Sequence, residues 1–402
     1  MGLKERFLKY VSFETTSIDD SMTSPSNFLE KKLGEALVLE LKELGLEAFM
    51  DEYGYVYSKI KSNCNSDVTI GLIAHMDTSP DAKGKDIKPR SIIYKGGVIN
   101  INDKLSIDPL DFPAFNKKLG HEIIITDGNT LLGADDKAGI AIIMDAVEKI
   151  LKSGENRPNI NICFTPDEEI GRGTEHFNVE YFKEGTNKLY SYTLDGGEID
   201  EINDENFNAA SAKITVHGLS IHPGSAKARM VNSQLIAMEF NSMLNSFNRP
   251  ENTTDHEGFN HLHSINGDVT TTTMTYIIRN HDMDLFNKQK MEFINAQTFL
   301  NIKYGDRVEL EIKDTYFNMK ELLKNDDRIL SIPVEALKSV DIEAKFTPIR
   351  GGTDGATLSY KGILCPNLGT GGGNFHGEKE YLDVTDALKM SEVIYNLVIN
   401  NK

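Results

Sequence analysis

Thr165-Pro166-Asp167-Glu168-Glu169-Ile170-Gly171 is the stretch around which the chain is organised. It follows the apolar run Ile160-Asn161-Ile162-Cys163-Phe164, which reads as a buried strand. Pro166 has no amide hydrogen and ends that strand's ladder. Two adjacent carboxylates therefore stand at the carboxyl end of a strand, the edge at which open α/β sheets bind ligands. In extended backbone, neighbouring side chains point to opposite faces. Glu168 and Glu169 can then do different chemistry, one as a metal ligand and one as a general base. Taken alone, the pair reads as well as a charged strand-to-loop corner, so the rest of the chain has to decide.

Upstream, Val68-Thr69-Ile70-Gly71-Leu72-Ile73-Ala74 is a second buried strand, ending in His75-Met76-Asp77-Thr78. Helical spacing covers residues 3–12 and 27–45, where Phe28, Leu29, Leu33, Leu37, Leu41 and Leu44 recur at three and four and Gly45 stops the run. A short hairpin is expected over 47–50 and 56–60. The polar stretch 81–122 is too long for a structureless loop, which predicts short strands inside it. A strand at 123–126 and the turn Asp127-Gly128-Asn129 lead to Asp135-Asp136-Lys137. A helix follows to about residue 152, with Ile140, Ile143, Met144, Val147 and Leu151 as its buried face. A strand at 189–194 ends in Asp195-Gly196-Gly197.

This alternation predicts an α/β sheet with parallel members. Near residue 208 the pattern changes. Strands at 212–217, 261–269, 270–279 and 306–316 interleave with helices at 229–247 and 282–302. That order, βαββαβ, is a ferredoxin-like unit. The reading is a two-domain α/β protein. A mixed-sheet catalytic domain (1–207 and 319–402) carries its site at the strand carboxyl ends, and an α+β lid (208–318) is inserted into it. The returning chain is expected to hold a helix at 328–339 and strands at 342–347 and 362–365. The loop Gly369-Thr370-Gly371-Gly372-Gly373-Asn374-Phe375-His376-Gly377 and a helix at 384–400 complete it.

The 402 residues fit more than one domain. With 43 basic against 61 acidic residues the net charge is −18, which disfavours nucleic acid and anionic membrane as partners. Three cysteines without a CxxC make a disulfide framework unexpected. The amino terminus has no apolar signal region, and no run reaches the ~20 apolar residues of a membrane span. A cytoplasmic protein is the expectation.

Five candidate ligands share one address. His75, Asp135, Glu169 and Asp195 each follow a strand, and His376 follows the glycine loop. Two imidazoles and three carboxylates suit Zn²⁺, with Co²⁺ or Mn²⁺ as substitutes. Two divalent ions against three carboxylates leave one positive charge, which one bound hydroxide would match, so the count favours a two-metal hydrolytic site. Each piece has a plainer reading: a hydrogen-bonded histidine, a helix start, a turn. Other chemistries lack their residues. No HExxH occurs, because the histidine after His256-Glu257 falls at His261, one residue late, and there is no G-x-S-x-G elbow. His256, His261 and His263 read as polar groups of the inserted domain.

Together, His75-Met76-Asp77-Thr78, Gly133-Ala134-Asp135-Asp136-Lys137-Ala138-Gly139, Asp167-Glu168-Glu169-Ile170-Gly171, Leu194-Asp195-Gly196-Gly197 and Asn374-Phe375-His376-Gly377 resemble the M20 metallopeptidases. The likeness is strongest to the members that remove the amino-terminal residue from tripeptides. It takes in the long insertion before Thr126, His222-Pro223-Gly224-Ser225-Ala226-Lys227 and Arg350-Gly351-Gly352-Thr353-Asp354-Gly355, and so runs through essentially the whole chain. It implies a two-zinc aminopeptidase acting on small peptides, with a lid that serves homodimer contacts in several relatives. Carried over residue by residue, it implies that His75 and Asp195 hold one zinc and Glu169 and His376 the other. Asp135 would bridge them, with a cis peptide after it. Asp77 would orient His75, and Glu168 would be the general base. His222 would donate to the oxyanion, and Arg279 and Arg350 are candidates for the peptide's terminal carboxylate. The alternatives are another hydrolase of the same core (a dipeptidase, carboxypeptidase or N-acyl amino-acid deacylase) and a metal- or peptide-binding protein without turnover. Glu168 and Asp77, which a pure binder does not need, argue against the last.

Overall fold

In the computed structural model, which describes residues 1–402, an eight-stranded mixed sheet forms the spine of the larger of two units. Its order is Ala48–Met50, Val56–Ile60, Asn159–Thr165, Val68–His75, Lys188–Thr193, Asn367–Leu368, Glu201–Asn206, Lys345–Ile349. Val68–His75 lies at the centre, parallel to both neighbours. The register sets His75 opposite Thr165 and Ile73 opposite Thr193, so the carboxyl ends of all three strands finish almost level. These strands are buried on both faces, which is why they read as unbroken apolar runs.

Helix Ala134–Ser153 packs beside this sheet. Its apolar stripe predicts one buried face, yet Ala141, Ile142 and Ala146 are buried as fully as Ile140, Ile143, Met144 and Val147. The helix lies between Val68–His75 and the outer helices Leu3–Tyr10 and Val384–Ile399, so little of its surface meets water. Gly154, at φ 69°, ends it in the left-handed conformation that glycine adopts without strain.

The segment 81–122 contains short strands, as expected, and Arg90–Ile93 pairs with Glu122–Ile125. Glu122–Ile125 also pairs with Tyr381–Asp383, which pairs in turn with Gly372–Gly373. The expected strand at 362–365 is absent. Ile363 and Cys365 are buried without pairing, and the Cys365 amide donates to Ser359 Oγ instead of a neighbouring strand. The helix at 229–247 is shorter than expected, Ser233–Met243, because Val231 bridges Leu219 and Asn232 caps the helix. Strand Glu201–Asn206 carries no apolar run and left no trace in the sequence pattern.

The first unit comprises Met1–Asp204, Met319–Thr347 and Thr353–Lys402, and the second comprises Glu205–Asn318 and Pro348–Gly352. Sequence pattern alone placed the second at 208–318. The return of Pro348–Gly352 to it is a matter of tertiary contact. In the second unit four antiparallel strands run in the order Phe259–Gly267, Thr271–Asn280, Asn208–His217, Val308–Tyr316. Helices Ser233–Met243 and Met283–Tyr304 cover one face around a core that includes Ile214, Phe240, Met274 and Phe293. No helix of the protein is long and apolar enough to cross a membrane.

Candidate metal centre

His75 closes its strand with its ring 2% exposed. Its Nδ1 lies 3.2 Å from Asp77 Oδ1 and its Nε2 lies 2.8 Å from Asp135 Oδ1 and 3.9 Å from Asp195 Oδ1. On the other side of Asp135, His376 Nε2 is 3.3 Å from Oδ2 and 2.9 Å from Glu169 Oε2. Two sets of ligand atoms result, His75–Asp135–Asp195 and Asp135–Glu169–His376, with Asp135 common to both. All five residues singled out from sequence meet here.

The backbone that carries them is irregular. Asp135 and Asp136 have non-helical angles at the head of helix Ala134–Ser153, and the peptide between them is cis. Asp167 (φ 57°) and His376 (φ 59°) occupy the left-handed region, uncommon for residues with a side chain. Asp167 is held there from both sides: its carboxylate accepts from the Ser26 amide at 2.8–2.9 Å, and its own amide donates to Glu30 Oε2 at 3.3 Å. Glu168–Ile170 is a 3₁₀ turn, not extended strand, so strand alternation does not separate the two glutamates. Their separation comes from partners. Glu169 faces His376, whereas Glu168 Oε1 accepts from the Asp354 amide at 3.3 Å. Asp77 reaches further than His75. Its two oxygens accept from the Glu168 and Glu169 amides at 3.0 and 3.1 Å, tying the 3₁₀ turn to the end of the central strand.

Three participants were given no role from the sequence, although Asp136 and Asp354 stand in stretches that carry the family resemblance. Glu380, fully buried, accepts from the amides of Leu132 (2.5 Å), Gly133 (2.8 Å) and Asp135 (3.0 Å), and so fixes the loop that presents Asp135. Asp136 accepts from the His75 amide at 3.1 Å. Asp354 accepts from Thr165 Oγ1 at 2.8 Å as its amide meets Glu168. In Gly377-Glu378-Lys379-Glu380, Glu380 is locally indistinguishable from a surface charge.

The electrostatics suit cations. Burial, and then the charge of Asp195, pushes the Glu168 carboxyl well above the usual range. Burial and Asp135 push Glu169 up to about 7, and the same causes raise Asp195. Asp135 is the exception: burial works to raise it, and the two imidazoles overcome that and hold it low. Glu169 Oε1 is buried with no hydrogen-bond partner. Crowded buried carboxylates, an unpaired buried oxygen and two imidazoles are the donor set that divalent ions satisfy. A third group, His121–Asp383–Asp386, differs in that a cation of the chain already stands in it: Lys118 Nζ lies 3.4 Å from Asp383 and 3.1 Å from Asp386.

The model of peptidase family M20/M25/M40 matches residues 123–400. The chain belongs to this family. Over 401 residues this M20 chain is 48% identical to peptidase T of Caldanaerobacter subterraneus, covering 98% of this chain and 97% of the relative. It is 48% identical over 406 residues to peptidase T of Alkaliphilus oremlandii, covering 99% and 98%. Among solved structures it is similar to aminopeptidase PepT from Bacillus cereus, with a TM-score of 0.78 over 99% of this chain and 98% of that one at 20% identity, a likeness of fold.

The remaining candidates belong to the second unit. His222 is exposed and caps the turn Pro223–Ser225, its Nδ1 accepting from the Gly224 amide at 3.2 Å. Arg279 lies over the Tyr316 ring at 5.1 Å and donates to the carbonyls of Ala210 and Ile278. Arg350 stacks on Phe207 and Phe259 and donates to the carbonyls of Asp255 and Glu257 and to Thr253 Oγ1. The structure does not bring these three into the five-ligand cluster.

Proposed function

We propose that this M20 peptidase is a di-zinc aminopeptidase that removes the amino-terminal residue of tripeptides. The observation that carries the reading is the pair of ligand sets sharing Asp135, with Glu168 beside them and in neither. His75 and Asp195 would hold one ion, Glu169 and His376 the other, and Asp135 both. Such ions supply Lewis acidity, acidifying a water and polarising the scissile carbonyl. Glu168 takes the proton from the attacking water and returns it to the leaving amine. Asp77 holds the His75 ring through Nδ1 and fixes the glutamate turn through two backbone amides. His222 is assigned to the oxyanion, and Arg279 and Arg350 to the peptide's carboxylate. The tripeptide preference rests on the likeness to the two peptidase T relatives above.

The test is chelation, then metal analysis and digestion of an unblocked tripeptide after adding back Zn²⁺, Co²⁺ or Mn²⁺. Restored release of the first residue is expected. Release of the last residue would assign a carboxypeptidase on the same core, and undiminished turnover in metal-free protein would overturn the metal reading.

A further inference from the structure

In the second unit a cavity of about 290 Å³ opens between the end of helix Ser233–Met243 and the strands Phe259–Gly267 and Thr271–Asn280. Asn241, Arg249, Glu251, Asn260, His261 and Tyr276 contribute to its wall. Asn260 is 5% exposed, and its Nδ2 has no hydrogen-bond partner. Two unpaired buried N–H bonds are costly, by about 1–3 kcal/mol for such a group, so the side-chain orientation needs a cause.

A chain of amides supplies one. The Asp282 backbone amide can only donate, and it donates to Asn280 Oδ1 at 3.0 Å. That leaves Asn280 Nδ2 to donate to Gln289 Oε1 at 2.8 Å. Gln289 Nε2 then donates to Asn260 Oδ1 at 2.9 Å. Each amide is oriented by the one before it, and the last, Asn260, lines the cavity with its buried donor unpaired. Turning Asn260 over would set two NH₂ groups against each other. The relay therefore ends in a donor that nothing in the protein accepts.

Arg249 adds a fixed positive charge. In a chain with 61 acidic residues it forms no ion pair. Its charge acts on the Tyr276 hydroxyl, partly offsetting the burial that raises that group. Glu251 is the one acid in the wall. Arg279 pairs with Phe259, next to Asn260 of the wall, but projects to the other face of the sheet, because side chains alternate along Thr271–Asn280 and Tyr276 and Ile278 face the helices. None of the three residues assigned to substrate, His222, Arg279 and Arg350, lines the cavity.

We propose that this cavity binds a small carboxylate, with Asn260 Nδ2 and the Arg249 guanidinium as its donors and Glu251 available to an ammonium group on the same molecule. A free amino acid carries both groups. The volume stands at the small end of the range for ligand sites, which suits a molecule of that size. The inference does not rest on the metal centre.

The test is calorimetric titration of the full-length protein with acetate, glycine, glycinamide and inorganic phosphate, repeated on Asn260→Asp and Arg249→Gln. Asn260→Asp keeps the acceptor that Gln289 uses and replaces the free donor with an oxygen. Acetate and glycine should bind saturably and glycinamide should not. Both variants should weaken that binding at least ~10-fold while tripeptide turnover is unchanged. Tighter binding of glycine than of acetate assigns the ammonium to Glu251 and a free amino acid to the site. Phosphate binding more tightly than either would overturn the carboxylate assignment. Carboxylate heats that survive intact in Arg249→Gln would overturn the site itself, even if Asn260→Asp fails to fold.

Discussion

Glu168 and Glu169 are adjacent in the chain and differ in everything that touches them. Glu169 is paired with His376, and Glu168 with a backbone amide. Glu168→Gln is expected to keep its metals and lower kcat by at least ~10²-fold, the usual worth of a general base. Glu169→Gln is expected to lose metal first. Metal analysis and kinetics on both variants decide it, and equal metal loss in the two would reject the division of roles. Glu380 offers a different contrast, because it touches no candidate ligand side chain yet accepts from three amides around Asp135. Glu380→Gln leaves one acceptor oxygen and turns an NH₂ towards those donors. A loss of about 1–3 kcal/mol in denaturant unfolding is expected, together with weaker metal retention. His281 in the second unit provides the pH dependence. Burial lowers its pKa from 6.5 to about 4, against the pull of Glu205, with His256 and Arg350 adding to the lowering. The unfolded chain then binds the proton first, so stability is full above about pH 6.5 and falls as pH drops towards 4. Urea midpoints between pH 7.5 and 4.5 should fall more steeply in the wild type than in His281→Gln. Parallel slopes would remove His281 from the acid sensitivity.

Helix Ala134–Ser153 and strand Lys188–Thr193 meet at Gly139. A Cβ there would stand 2.0 Å from the Leu194 carbonyl oxygen and 2.5 Å from Asp136 Oδ1. Backbone on one side and a hydrogen-bonded carboxylate on the other leave no side chain that can swing away. Gly139→Ala must therefore part the helix head, which carries Asp135, from the strand end, which carries Asp195. The expected result is a loss of about 1–3 kcal/mol, the usual cost of overpacking, with weakened metal binding at His75, Asp135 and Asp195. Melting and metal titration check it, and a variant that binds metal normally would show that the two elements move together without cost. Elements also explain what the sequence left out. The 362–365 run is apolar because it is buried, and burial alone does not make a strand. Strand Glu201–Asn206 is the converse, polar in composition and paired all the same.

The two units have separate apolar cores, one spanning the mixed sheet and its helices and the other built from Ile214, Phe240, Met274, Phe293 and their neighbours. All five candidate ligands lie in the first unit. Metal bound there stabilises the folded form of that unit by mass action. Calorimetry of the holo-protein and of the chelated protein is expected to show a fall in one transition and little change in the other. Fluorescence or hydrogen exchange at second-unit residues would identify which is which. Equal shifts in both would mean that the units unfold as one.

What the sequence determined by itself was periodic or punctuated. Apolar runs named the central strands, their ends named His75, Glu169 and Asp195, and the βαββαβ order named the second unit. These signals are local because burial on two faces and strand termination are written in consecutive residues. Three things only the tertiary structure decided. The direction in which Glu168 and Glu169 point follows from Asp77, Asp354 and His376, which are far away in the chain. The presentation of Asp135 depends on Glu380, whose neighbours in sequence look like ordinary surface. The unpaired donor of Asn260 exists only because Asn280 and Gln289 orient it. In each case the deciding contact joins residues that no sequence window holds together, and a buried hydrogen bond has direction that composition does not record.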